Sequence, residues 1–195
     1  MTVLLLGLLL FLGIHSVSIV APAWRDARVA RGAGAWKGIY SIVSALGLVL
    51  IVVGYGLARQ SPVVLWVPPT WSRHLALLLM LAAFVLLAAA YLPGRIQAAA
   101  KHPMLLAVKI WATAHLLANG TLADLVLFGG FLAWAVVDRI SVKRRVGGAS
   151  GPPPRPARPM NDAIAVGAGL VVWAAFVFGL HRWLFGVAPL PALSV

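Results

Sequence analysis

The chain contains no cysteine, which excludes disulfides, thiolate metal ligands and cysteine nucleophiles. Acidic residues are nearly as scarce, with four Asp and Glu against sixteen Lys and Arg in 195 residues. That leaves no paired carboxylates for acid–base catalysis and argues against a proton-coupled pump. Also missing are HExxH, a GxSxG with a triad, and a phosphate-binding glycine loop followed by Lys. The two halves show no inverted repeat with broken helices, so a secondary transporter is weakly supported. Charged residues make up only 10% of the chain, whereas soluble domains carry about a quarter.

What is present is apolar, at 62% of residues. Six runs meet or approach the roughly 17–25 residues that a membrane helix requires: Thr2–Val20, Trp36–Leu57, His74–Leu92, Pro103–Ala118, Leu122–Val137 and Ala163–His181. The pattern predicts an all-α, polytopic integral membrane protein, with about six helices in one bundle and one domain over 1–195. Its partner is then the lipid bilayer. A formal charge of +12 would also suit a nucleic-acid binder, but the basic residues sit between apolar runs and form no stripe interleaved with aromatics.

Those basic residues set an orientation instead. Arg25, Arg28, Arg31 and Lys37 fall in the first expected loop, Arg95 and Lys101 in the third, and Arg139, Lys143, Arg144, Arg145, Arg155 and Arg158 in the fifth. The second loop has Arg59 and Arg73, the fourth has none, and Arg182 lies past the last span. The odd loops are expected to be cytoplasmic and both termini to face the other side. Asn119-Gly120 reads as a tight turn using a left-handed glycine. Thr121 followed by Asp124 reads as a capping box with Asp in place of Glu, preferred over a proton-relay role for Asp124. Gly129-Gly130 suggests close helix packing. Residues 146–160, rich in Gly and Pro, are expected to form a flexible linker, with docking of a partner as the lesser reading. Ala21-Pro22-Ala23 matches a cleavage pattern, but the basic residues just after it favour an uncleaved first helix.

Two histidines lie inside apolar runs, His15 in the first and His115 in the fourth, with no carboxylate in either. Burying an imidazole in hydrocarbon is costly without a partner, so each is a candidate site. One reading is an interhelical hydrogen bond; the other is a metal held by ring nitrogen, for which two imidazoles facing each other would suit a b-type haem. Trp111 and Asn119 flank His115 at i−4 and i+4 on one helix face, and Asn119 is a candidate to orient the ring. Gly7 and Gly13 leave room near His15 for a flat ligand or another backbone. His102 precedes Pro103 and is the less favoured ligand. Lys109 either snorkels to the headgroups or pairs with a propionate. His74 and His181 read as interfacial.

Three segments carry a family resemblance: FLGIHS (Phe11–Ser16), KHP (Lys101–Pro103) and WATAHLLANG (Trp111–Gly120). With the ending HRWLFGVAPLP (His181–Pro191), they resemble the NnrU family of bacterial membrane proteins, associated with nitrite and nitric oxide reduction. That family is in turn similar to the 15-cis-zeta-carotene isomerase, a haem b membrane enzyme. The resemblance implies haem b with His15 and His115 as axial ligands and a place in the bacterial inner membrane. The isomerase has a cysteine three residues before its second histidine, where this chain has Ala112, so a thiol-dependent ligand switch does not carry over. Three functions follow as expectations. The first is a redox or gas-responsive haem protein supporting denitrification. The second is a haem-dependent cis–trans isomerase of a polyene lipid. The third is a cofactor-free assembly protein for a respiratory complex.

Overall fold

A computed structural model describes residues 1–146 and 158–190, excepting the side chains of 145 and 146. Most of the expected linker therefore lies outside the described residues. Eight α-helices follow in order: α1 Thr2–Val20, α2 Pro22–Ala58, α3 Thr70–Ala89, α4 Arg95–Ala100, α5 Pro103–Ala118, α6 Leu122–Val146, α7 Pro159–Ala175 and α8 His181–Phe185. A π-helical turn, Phe176–Leu180, joins the last two. Among the described residues, five helical stretches are long and apolar enough to cross a bilayer, and the sixteen-residue α5 is a shorter apolar helix. The protein is an all-helical membrane protein, as its composition dictates.

Where the structure differs from the expected spans, local chemistry explains it. Only Ala21 separates α1 from α2, with φ −139° and ψ 55°, and Pro22 opens α2 at its first turn. Proline has no N–H to lose there, and its fixed φ already suits a helix. Arg25, Arg28, Arg31 and Lys37 thus stand on a helix rather than in a loop. Their Ala- and Arg-rich stretch has high helix propensity, and the change of direction falls at Gly32, which leaves helical geometry with φ 176° and ψ 88°. Helix α6 likewise runs past its apolar part, so Arg139, Lys143 and Arg144 occupy its final turns. Cations are stabilised there by the partial negative charge of the helix end.

The helices fall into two units that interleave along the sequence. The first comprises Met1–Trp66 and Thr121–Gly148, hence α1, α2 and α6. Here α1 and α2 pack backbone to backbone. A Cβ on Gly7 would stand 2.5 Å from the Ile51 nitrogen, and one on Gly47 only 2.7 Å from that of Phe11. Hydrocarbon offers no hydrophobic drive between helices, so association depends on close van der Waals approach, which small residues permit. Gly129 and Gly130 are not used in this way: the nearest atoms to a Cβ there are side-chain carbons of Leu125 at 3.7 Å and Leu12 at 3.9 Å. The α6 N-terminus carries the expected capping box, with the Thr121 amide and hydroxyl donating to Asp124 Oδ2 at 2.9 and 2.6 Å. Asp124 is 3% exposed and also accepts from the Tyr55 hydroxyl at 2.5 Å, which ties α2 to α6. Structural bonding thus accounts for this carboxylate. No left-handed glycine precedes α6. Asn119 is extended (φ −132°, ψ 152°) and Thr121 pairs antiparallel with Val64, so the chain enters α6 as a short bridge rather than a tight turn.

The second unit comprises Val67–Gly120 and Ala149–Val195, hence α3, α4, α5, α7, the π turn and α8. Its helices are tied by side chains reaching backbone. Trp173 Nε1 on α7 donates to the Leu77 carbonyl of α3 at 2.9 Å. Asp162, in the first turn of α7, accepts from the Arg95 and Ile96 amides at 3.0 Å each, capping α4 from another helix. Asn161 adds a bond to the Pro93 carbonyl at 2.7 Å. At one point α7 meets α3 backbone, where a Cβ on Gly169 would lie 2.7 Å from Val85 Cα. Among the described residues the interior is mostly alanine, including Ala83, Ala107, Ala112, Ala114 and Ala165, while large side chains such as Leu78, Val171 and Phe178 face outward. That distribution suits lipid rather than water as the surrounding medium.

Candidate functional site

Each intramembrane histidine is held by its own helix. In α1 the His15 Nδ1–H donates to the Phe11 carbonyl at 2.6 Å; in α5 the His115 Nδ1–H donates to the Trp111 carbonyl at 2.9 Å. A carbonyl only accepts, so Nδ1 carries a proton in both rings, and in the neutral form of either ring Nε2 is the basic nitrogen. An Nδ1–H bonded to a carbonyl is the usual support of a metal-ligating imidazole. The same bond also satisfies a histidine that ligates nothing.

The two surroundings differ. His15 lies among rings: Phe11 stacks on it at 4.3 Å between centroids, Tyr40 tilts over it at 5.0 Å and Trp134 meets it edge-on at 5.9 Å. The aromatic series continues along α2, from Tyr40 to Trp36 and across the Gly32 kink to Trp24. Trp134 Nε1 is buried without a hydrogen-bond partner among the described residues. Beside His15 opens a cleft of about 440 Å³, lined by Ser18, Arg25, Trp36, Lys37 and Tyr40 together with aliphatic side chains. Gly7 is occupied by the approach of α2, whereas Gly13 has nothing within 4 Å of a Cβ position.

Around His115 the neighbours are Trp111, at 5.3 Å between ring centroids, and His181, at 6.4 Å with planes 24° apart. His181 is in turn held by its Nδ1–H, which donates to the Val187 carbonyl at 2.7 Å as Gly186 turns the chain back with φ 73°. The sequence reading assigned His181 to the interface, without a site role. The π turn directly before it adds a residue to the helical register, a distortion common at functional sites and without a reliable sequence signature. The Asn119 amide donates to the backbone carbonyl of His115 at 2.9 Å, and the Trp111 carbonyl at i−4 accepts from the ring.

His102 stands at the N-cap of α5 with φ −139° and ψ 70°, outside the α region that a following proline disfavours. Lys101 before it takes φ 60°. Lys109 is half-buried midway along α5. His15 belongs to the first unit; His102, Lys109, Trp111, His115, Asn119 and His181 belong to the second.

The family model described as NnrU protein matches residues 3–189, nearly the whole chain. No curated protein and no solved structure matches it.

Proposed function

The chain belongs to the NnrU family, and from that premise we propose that it is a haem b-binding protein of the bacterial inner membrane. In this reading His15 and His115 would each offer an imidazole nitrogen to the group, and the protein serves nitrite and nitric oxide metabolism. The observation that supports the proposal is the shared anchoring of the two imidazoles, each with Nδ1–H on an i−4 carbonyl, so that Nε2 would be the ligating nitrogen. The donor set fits the group: with no cysteine, imidazole is the strongest iron ligand available, and b-type haem takes imidazole readily. The unpartnered indole N–H of Trp134 and the aromatic wall of Phe11 and Tyr40 beside His15 suit a flat polar-edged ligand.

Haem b would supply a one-electron couple or a binding position for a small gas. The chain's part is to hold and orient. Phe11 and Trp111 carbonyls fix the tautomer of each ring. The Phe11, Tyr40 and Trp134 rings pack against the His15 imidazole and restrict its orientation.

The test is a reduced-minus-oxidised visible spectrum with a pyridine haemochrome assay on detergent-purified protein. Stoichiometric haem b in wild type, lost or turned high-spin in both His15→Ala and His115→Ala, is the expected result. A wild-type protein that stays colourless after haem supplementation would overturn it and leave the histidines as packing elements, as an assembly protein would have them.

A further inference from the structure

We infer that the cleft beside His15 is a carboxylate-binding site, with Arg25 and Lys37 receiving the acid edge of a tetrapyrrole whose flat body lies against Trp36, Tyr40 and His15. The inference rests on the haem reading for the identity of the ligand, but its geometry is independent of any iron bond. It also differs from the sequence expectation, which offered Lys109 to a propionate.

Three observations converge on it. The cleft, at about 440 Å³, lies within the range of ligand pockets, about 300–1,000 Å³. Its wall combines two cations with two aromatic side chains and an imidazole, the combination that suits a ligand with an aromatic plane and an anionic edge. Helix geometry explains how they meet. Arg25, Val29, Trp36 and Tyr40 are half-buried, recur at four- to seven-residue intervals along α2 and all line the cleft, and the exposed Lys37 borders it as well. The Gly32 kink lets the basic turns before it and the apolar turns after it both border the opening. Arg25 also pairs with Asp26 at 2.8 Å, but that pair is largely exposed, with 43% and 65% of the two side chains accessible. Water screens such a pair, and it competes weakly with an incoming carboxylate.

An anionic phospholipid offers related chemistry, an acid group on an apolar body, and the experiment separates the two. Full-length protein in phosphatidylcholine nanodiscs is titrated with metal-free protoporphyrin IX and, separately, with its dimethyl ester. Binding is read as saturable quenching of tryptophan fluorescence above that of empty nanodiscs. The free diacid is expected to bind at least about tenfold tighter than the ester. Arg25→Gln and Lys37→Gln each weaken the diacid about fivefold, and the double variant closes the gap to the ester. Arg31→Gln, which removes a charge from the same helix outside the cleft, keeps the gap. Equal binding of diacid and ester, or an Arg31→Gln variant that closes the gap as far as the double variant, overturns the inference. So does loss of the gap when phosphatidylglycerol replaces phosphatidylcholine, since the cations then hold a lipid phosphate. The porphyrin carries no iron, so loss of haem ligation in the His15→Ala and His115→Ala assays can fail or succeed separately from this result.

Discussion

The two units solve the same problem, joining apolar helices in an apolar solvent, by opposite means. In α1 and α2 the seam is made by removing side chains: Gly7 and Gly47 bring backbone against backbone. In α3, α4 and α7 it is made chiefly by side chains that reach across to backbone, through Trp173, Asn161 and Asp162. The first strategy depends on contact area and tolerates no added volume. The second depends on a few directional bonds that fail one at a time. Their histidines differ in parallel. His15 sits in an aromatic surround beside an open cleft with cations, whereas His115 has a second imidazole as its neighbour.

The sharpest break in this comparison comes from filling the seam of the first unit. Gly47→Leu should cost about 3 kcal/mol or more, because the clash is with Phe11 backbone rather than with a side chain that can turn away. Gly13→Leu, on the same pair of helices but with no atom near, should change stability by less than about 0.5 kcal/mol. Thermal unfolding in detergent distinguishes them, and comparable losses in both would discount backbone approach as the cause. Asp124→Ala follows, at about 2–3 kcal/mol, since it strips both the Thr121 cap and the partner of the Tyr55 hydroxyl. In the second unit Asp162→Ala should cost about 1 kcal/mol, the scale of a lost helix cap. Its signature is local, with faster amide exchange at Arg95 and Ile96. An unfolding transition shifted as far as in Gly47→Leu would mean the second unit is not held bond by bond. The smallest effect tests the histidines: His181→Ala should leave haem content near that of wild type, with at most a small shift in the visible spectrum. If it removes the haem as completely as His115→Ala, the ligand role in this unit belongs to His181.

The helices could be read from the sequence wherever composition alone decides. Thr2–Val20 and Pro103–Ala118 emerge with the bounds the apolar runs suggested, because proline and the ends of the runs mark both. The Thr121–Asp124 box was legible for a similar reason: its partners are three residues apart. Features that depend on distant partners were not. Asp162 sits in the first turn of a helix, where an acid would be assumed to serve its own N-terminus, yet its carboxylate caps α4. His181 carries no local sign that a π turn will bring its ring beside His115. The basic segment after α1 was read as a loop because topology rules weigh its charge and ignore its helix propensity. In consequence the cleft that Arg25 and Lys37 line was invisible, although His15 itself was not. His15 was found by its mismatch with hydrocarbon, a property of one residue, whereas a cleft is a property of several.

The interleaving of the two units has a consequence for biosynthesis. Neither unit is contiguous, so neither is complete when its first helices leave the ribosome. The α1–α2 hairpin must wait until the stretch from Val67 to Gly120 has been made before α6 can join it. At about 5–20 residues per second that delay is roughly 3–10 s. During it the hairpin depends on the contacts between α1 and α2, the glycine seam chief among them, and the Tyr55 hydroxyl has yet to meet Asp124. A chain released after α6 would carry every helix of the first unit but would leave α3 without α7 and α4 without its Asp162 cap. Premature termination should therefore yield a truncated chain with His15 and its cleft in place, and the nascent chain passes through that same stage on the way to the whole.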